Sequence, residues 1–309
     1  MTSLRRPRRL VAGDRVAIIS PSGPFPPDKL QAGLDVMRSW GLEPVLLDHT
    51  LDTHPQFSYL AGTDADRGRD FQAAWSDPTF AAVISARGGY GTQRMLEHVD
   101  WQALRQLEPK AYVGFSDATP LHEAINVRLG VATIHGPMPA WTVFIEDGET
   151  QEHLRQTLFE PESVQKIAPT TARTLVPGRA TGVTFGGCVS LLSSGIGTPE
   201  TRARAEGGIL IIEDLEEEDY RLDRILTQLR RTGWLDNLAG VVAGSWTDCR
   251  PSYEQIRAVL IDRLGDYNVP IVEEFRFGHC RPSWTIPLGV SATLDADAGT
   301  LVLDVPALT

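Results

Sequence analysis

The first half of the chain alternates short apolar runs with helical patterns. RVAIIS, EPVLLD, AAVISA, AYVGFS and VATIHG are separated by stretches such as PDKLQAGLDVMRSWG and TQRMLEHVDWQALRQL. Apolar runs of this length, joined by amphipathic crossovers, describe strands buried on both faces, and so a mainly parallel sheet covered by helices. Residues 1–160 are therefore expected to form an α/β domain. From Phe159 the text changes to FEPESVQKIAPTTARTLVPGRATG, rich in Pro, Thr and Ala without apolar periodicity, so residues 161–180 read as a connector. Residues 181–309 read as a second, β-rich domain with the runs GGILIIE, LAGVVAGS and VPIVEEF. Its end, IPLGVSATLDADAGTLVLDV, reads as paired strands around a DADAG turn. One helix is clear there, because Leu222, Ile225, Leu226 and Leu229 share one face. A length of 309 residues exceeds the usual size of a single core, in keeping with two domains.

Charge and cysteine usage narrow the function classes. A net charge of −11 repels a phosphate backbone, and no basic stripe interleaved with aromatics is present, so nucleic acid is excluded as a partner. No apolar run approaches the roughly 18 residues of a membrane span. The Arg-rich opening MTSLRRPRRLVAGDR lacks a signal-peptide core, which leads to the expectation of a cytoplasmic protein with no membrane partner. Cys188, Cys249 and Cys280 are widely spaced without a CxxC pair, which argues against a disulfide framework and a thiolate metal site. Neither a metal nor a cofactor is expected.

In AYVGFSDATPLHEAI a strand passes into a helix within two residues, and Ser116 stands at the junction. In open α/β sheets the functional crevice lies at the carboxyl ends of the strands, where a serine is either a helix cap or a nucleophile. Asp117 is itself a competent cap and Pro120 suits a first helical turn, so the helix can start without Ser116. Gly114 precedes it by two positions, as in strand-turn-helix nucleophile elbows, although the second glycine of G-x-S-x-G is missing.

A serine hydroxyl needs a base, a group that orients the base, and donors for the oxyanion. The stretch ARGGYGTQ also closes a strand and opens a helix, and its glycines suit the donor role; a tight βα turn is the plainer account. Arg94 stands where a dinucleotide fingerprint needs its third glycine. Of seven histidines, His135 and His279 lie at strand ends or in loops leaving them, and remain as base candidates. In IIEDLEEEDY the later acids read as helix-start charges, whereas Glu213 ends a strand, where a carboxylate needs a partner.

GFSD, RGGYG with the upstream GTDADRGRDFQAAWSDP, HGPM, FGGCVSLL, IIEDLEEEDYRLDRILTQL and GHCRPSWTIPLG together resemble the LD-carboxypeptidases, serine peptidases that include murein tetrapeptide carboxypeptidases and microcin C immunity proteins. The motifs run through nearly the whole chain in order. The resemblance implies an amidotransferase-like first domain and a β-rich second one, with the active site at their interface, and a homodimer. It makes Ser116 the nucleophile, His279 the general base and Glu213 the residue that orients it, with the backbone N–H groups of Asp117 and Gly89 as oxyanion donors. Where relatives usually carry asparagine after the paired glycines, this chain has Cys188, so a hydrogen bond to substrate or to Glu213 is at stake. Arg87 and Arg281 flank the site and are candidates for the substrate carboxylate, and Trp141 for stacking a nucleobase.

Three functions fit. The first is release of terminal D-alanine from murein tetrapeptides in wall recycling, which the short segment after HGPM favours. The second is an immunity-type hydrolase of aminoacyl-nucleotide toxins. The third is a bilobed binding protein without chemistry, which would have no use for Ser, His and Glu at strand ends.

Overall fold

The structure is a computed structural model that describes residues 2–309. Each of the five early apolar runs forms a strand: β1 (Arg15–Ile19), β2 (Glu43–Leu46), β3 (Phe80–Ser85), β4 (Ala111–Gly114) and β5 (Thr133–His135). All of their mutual pairings are parallel. Burial on both faces explains why they are continuously apolar: Val16 and Ile18 of β1 enter one core, Ala17 and Ile19 the other.

The remaining strands are β6 (Lys166–Ile167), β7 (Arg173–Val176), β8 (Arg179–Cys188), β9 (Gly208–Leu215), β10 (Gly240–Thr247), β11 (Ile271–Glu273), β12 (Ile286–Leu288), β13 (Ser291–Asp295) and β14 (Thr300–Leu303). All but β12 build a second sheet in the order β6-β14-β13-β8-β9-β10-β11-β7. Its centre, β8 to β11, is parallel. The DADAG turn closes the hairpin of β13 and β14. Helix Asp219–Arg231 buries Leu222, Leu226 and Leu229 against this sheet.

Two local expectations need correction. The segment 161–180 is not a bare connector, because it contributes both edge strands, β6 and β7, to the second sheet. IPLG does not pair with its sequence neighbours; β12 crosses to the first sheet and lies antiparallel to β5. Strand β12 is too short to signal its partner, and the edge it takes is that of β5. The domains are thus interlocked, and Ala307 and Leu308 pack in the first core. The carboxyl ends of β3, β4, β9 and β11 converge on one cleft, where βα loops supply the side chains. No described helix is long and apolar enough to cross a membrane.

Candidate active site

Three loops from the first sheet are tied together at the cleft floor. After β4, Phe115 is extended and Ser116 takes the left-handed conformation, φ 59°. A non-glycine residue there costs about 1–3 kcal/mol and persists only where its surroundings impose it. Gly114 allows the sharp turn, since a Cβ on it would lie 2.7 Å from the Ala118 Cβ. The serine side chain caps no helix.

Gly88 lies directly against this turn: a Cβ there would stand 3.0 Å from both Cβ and Oγ of Ser116, so only glycine lets the loop approach so closely. The buried Arg67 guanidinium holds the same loop by donating to the carbonyls of Pro21 and Gly91. Asp117 does not cap its own helix. Its carboxylate accepts the Thr92 N–H at 2.9 Å, across 25 residues, and so ties the Ser116 turn to the end of the glycine loop. Burial pushes its pKa up to about 6 against the pull of these hydrogen bonds.

The second sheet brings the carboxylate and the imidazole. Glu213, fully buried near the end of β9, accepts from His279 Nδ1 through Oε2 at 2.6 Å. Gly278 makes this possible, because a Cβ on it would stand 2.5 Å from that oxygen. The loop beyond β11 is further held by Thr247 Oγ1, which donates to the His279 carbonyl at 2.6 Å, and by Ser283 Oγ on the Gly278 carbonyl at 2.8 Å. The His279 ring packs on Phe115, centroids 4.9 Å apart. Burial disfavours a charged His279, but the Glu213 charge and hydrogen bond prevail and hold its pKa above the ordinary histidine value. Burial likewise opposes the Glu213 anion, and His279 holds its pKa below the usual carboxylate value.

Ser116, Gly89, Arg87, Trp141 and His279 line one cleft of 540 Å3. Asp117 and Glu213 are buried behind them. A larger groove of 660 Å3 lies at the opposite ends of the strands, beside Arg5, Arg8 and Lys110, and holds no candidate nucleophile. A hydroxyl on a strained turn, a glycine loop packed against it, and an imidazole backed by a buried carboxylate are parts that acyl transfer requires. Among the described residues no group of three or more His, Cys, Asp or Glu side chains is placed to hold a metal ion.

A model of the LD-carboxypeptidase N-terminal domain matches residues 16–136, and one of the C-terminal domain matches residues 181–294. The chain belongs to the LD-carboxypeptidase family. A Streptomyces coelicolor protein with a provisional carboxypeptidase name is 58% identical over 308 residues, covering 100% of this chain and 99% of its own. The murein tetrapeptide carboxypeptidase of Pseudomonas aeruginosa is 30% identical over 297 residues, 92% of this chain and 94% of its own. Among solved structures, muramoyltetrapeptide carboxypeptidase from Oxalobacter formigenes superposes with a TM-score of 0.78 at 28% identity, covering 94% of this chain and 99% of that one. MccF in complex with glutamyl sulfamoyl guanosine superposes at 0.88 with 22% identity, covering 98% and 99%, a likeness of fold.

Other sites in this LD-carboxypeptidase lie where the sequence did not indicate. Arg281 is outside the cleft lining; its guanidinium reaches Glu146 Oε2 at 3.2 Å and Asp147 Oδ2 at 3.3 Å in the first domain. Arg87 stays on the cleft wall with one nitrogen donating to the Pro24 carbonyl. Cys188 is buried and donates to Asp214 Oδ1 at 3.1 Å. Burial, with the Asp214 charge, raises its thiol pKa well above the ordinary value. Glu216 and Glu217, read from sequence as helix-start charges, line the cleft together with Arg221, Met138 and Phe115. The left-handed φ of 55° at Glu216 turns the chain into the cleft before the helix begins, and no sequence pattern announces such a turn at a glutamate.

Proposed function

We propose that this LD-carboxypeptidase is a serine hydrolase that cleaves the L,D-peptide bond before the terminal D-alanine of murein tetrapeptides. The observation that carries the reading is the 2.6 Å pair of Glu213 and His279 opening on the same cleft as the left-handed Ser116. Ser116 Oγ attacks the scissile carbonyl carbon and its proton passes to His279 Nε2, while Glu213 keeps Nδ1–H oriented and stabilises the imidazolium. The carbonyl oxygen, now anionic, is held by the backbone N–H groups of Asp117 and Gly89, each such donor contributing about 3 kcal/mol to the barrier reduction. His279 then protonates the departing D-alanine amine, and water, activated by the same base, hydrolyses the acyl-enzyme.

The charges of the cleft support a murein peptide. Arg87 and Arg221 offer cations for a free terminal carboxylate, and Glu216 and Glu217 offer carboxylates for the ammonium of a diamino acid. An acidic aminoacyl group would meet repulsion from the same two glutamates. The immunity-type reading rests on Trp141, whose ring packs on Phe115 with centroids 4.8 Å apart and faces the cleft as a platform for a base. A cytoplasmic location and a homodimer belong to the proposal as the usual setting of such an enzyme.

Purified protein is to be incubated with a murein tetrapeptide, a pentapeptide ending in D-Ala-D-Ala, and an aminoacyl sulfamoyl nucleotide. Release of D-alanine from the tetrapeptide alone is expected, because mismatched polar groups or stereocentres forfeit transition-state binding. Preferred cleavage of the nucleotide would select the immunity-type reading. Binding without product would sink the hydrolase altogether.

A further inference from the structure

Glu213 uses only one of its oxygens. Oε2 holds His279, while Oε1, equally buried, has no hydrogen-bond partner. His135 Nε2 stands 4.0 Å from it, and that atom is also buried and unpartnered. An unpaired buried polar atom costs about 1–3 kcal/mol. Two such atoms facing each other are relieved together by one hydrogen bond, which needs an approach of about 1 Å.

Neither ring nitrogen of His135 has a hydrogen-bond partner. Its backbone is paired on both sides, with Gly114 of β4 and Ile286 of β12. Its ring meets Phe277 edge-on at 5.6 Å, Phe115 at 5.9 Å and the His122 ring, stacked, at 6.3 Å. Among these neighbours the Glu213 carboxylate is the charged acceptor that Nε2 faces.

We propose that His135 is a positioning residue of the hydrolytic site: its Nε2–H holds Oε1 of Glu213, so that the carboxylate is gripped between two imidazoles and Oε2 stays aimed at His279. The inference rests on the serine-hydrolase reading for its kinetic consequence, and on the buried geometry alone for the bond. The charged and titratable groups facing the pair are His279, Asp214, Cys188, Cys249 and Cys280 around Glu213, and His122 and His279 around His135. Burial lowers the His135 pKa to about 4, so at neutral pH the ring serves as a neutral donor and adds no second cation beside His279. Loss of the donor frees the carboxylate to rotate and makes it a stronger acceptor for the His279 proton.

The test compares His135→Leu, which keeps an apolar filler, with His135→Gln, which keeps an N–H donor. In the Leu variant kcat on the tetrapeptide should fall about 10- to 100-fold with KM unchanged, the scale expected for a misplaced catalytic group. Its acid limb of kcat/KM should move to higher pH, because Glu213 with one partner binds the His279 proton more tightly. The Gln variant should recover most of kcat and return the limb. A folded Leu variant with the wild-type rate and limb, or a Gln variant no better than Leu, overturns the proposal in favour of simple space-filling. Nitrogen-15 spectra of the ring in the unaltered protein decide the point independently of turnover and of whether the variants fold. A neutral Nε2–H tautomer is expected, and an Nδ1–H tautomer refutes the bond even if the enzyme proves to be a serine carboxypeptidase.

Discussion

The Asp117 carboxylate accepts the N–H of Thr92 at 2.9 Å, so the residue after the candidate nucleophile caps the helix that follows the glycine loop. One side chain thereby ties the Ser116 turn to the end of the glycine loop. Burial raises its pKa to about 6. The folded protein therefore binds this proton more tightly than the unfolded chain, and the contribution to stability is greatest at low pH and is lost as pH rises through 6.

Asp117→Asn removes that titration. Relative to wild type, the variant should gain stability between pH 4 and pH 7, by up to about 3 kcal/mol for a shift of roughly two pH units. Urea unfolding at the two pH values checks it; a constant difference would mean that Asp117 does not titrate in this range. Activity should fall as well, because a neutral amide holds the Thr92 N–H more weakly than a carboxylate does.

Ser116→Gly should separate stability from function. Glycine adopts the left-handed conformation without strain, so the variant should be more stable by about 1 kcal/mol or more while turnover disappears. Thermal unfolding and D-alanine release are the readouts. A destabilised variant would mean that the φ of 59° is not strained in this setting.

The acidic run should divide sharply. Glu213→Gln is expected to lower kcat about 10,000-fold, the loss typical when the residue orienting a catalytic histidine becomes an amide. Because Glu213 raises the His279 pKa, activity in the wild type should fall off with acid at a pH above the ordinary histidine value, and residual activity of the variant should persist to lower pH. Glu217→Gln, on the cleft wall, should instead raise KM for a tetrapeptide carrying a free diamino-acid ammonium and leave kcat nearly unchanged. Equal effects on kcat in the two variants would contradict their separate placement.

Gly278→Ala tests the close approach behind His279. The added methyl would stand 2.5 Å from Glu213 Oε2 on a residue whose φ is +88°. Both the collision and the left-handed backbone oppose it, so a loss of about 1–3 kcal/mol of stability and of nearly all turnover is expected. Wild-type kinetics in this variant would mean that the Glu213 and His279 side chains do not meet as described.

The architecture of the first sheet was legible in the sequence because it depends on local periodicity: RVAIIS and AAVISA are continuously apolar because both of their faces are covered, and each reads so without knowledge of its neighbours. Ser116 and Glu213 stood out as candidates for a related reason, since strand ends can be found from the runs themselves and a carboxylate closing a buried strand demands a partner, whereas the choice of His279 over His135 as base came only from the resemblance to the LD-carboxypeptidases. Only the tertiary structure decided where side chains meet across long separations. It turned Asp117 from its own helix to Thr92, drew Arg281 onto Asp147 across 134 residues, sent β12 to the first sheet, and brought Glu217 and Arg221 to the cleft. Each of these outcomes is a choice among partners of similar chemistry, and the chain makes that choice through the packing of two cores, which no window of neighbouring residues contains.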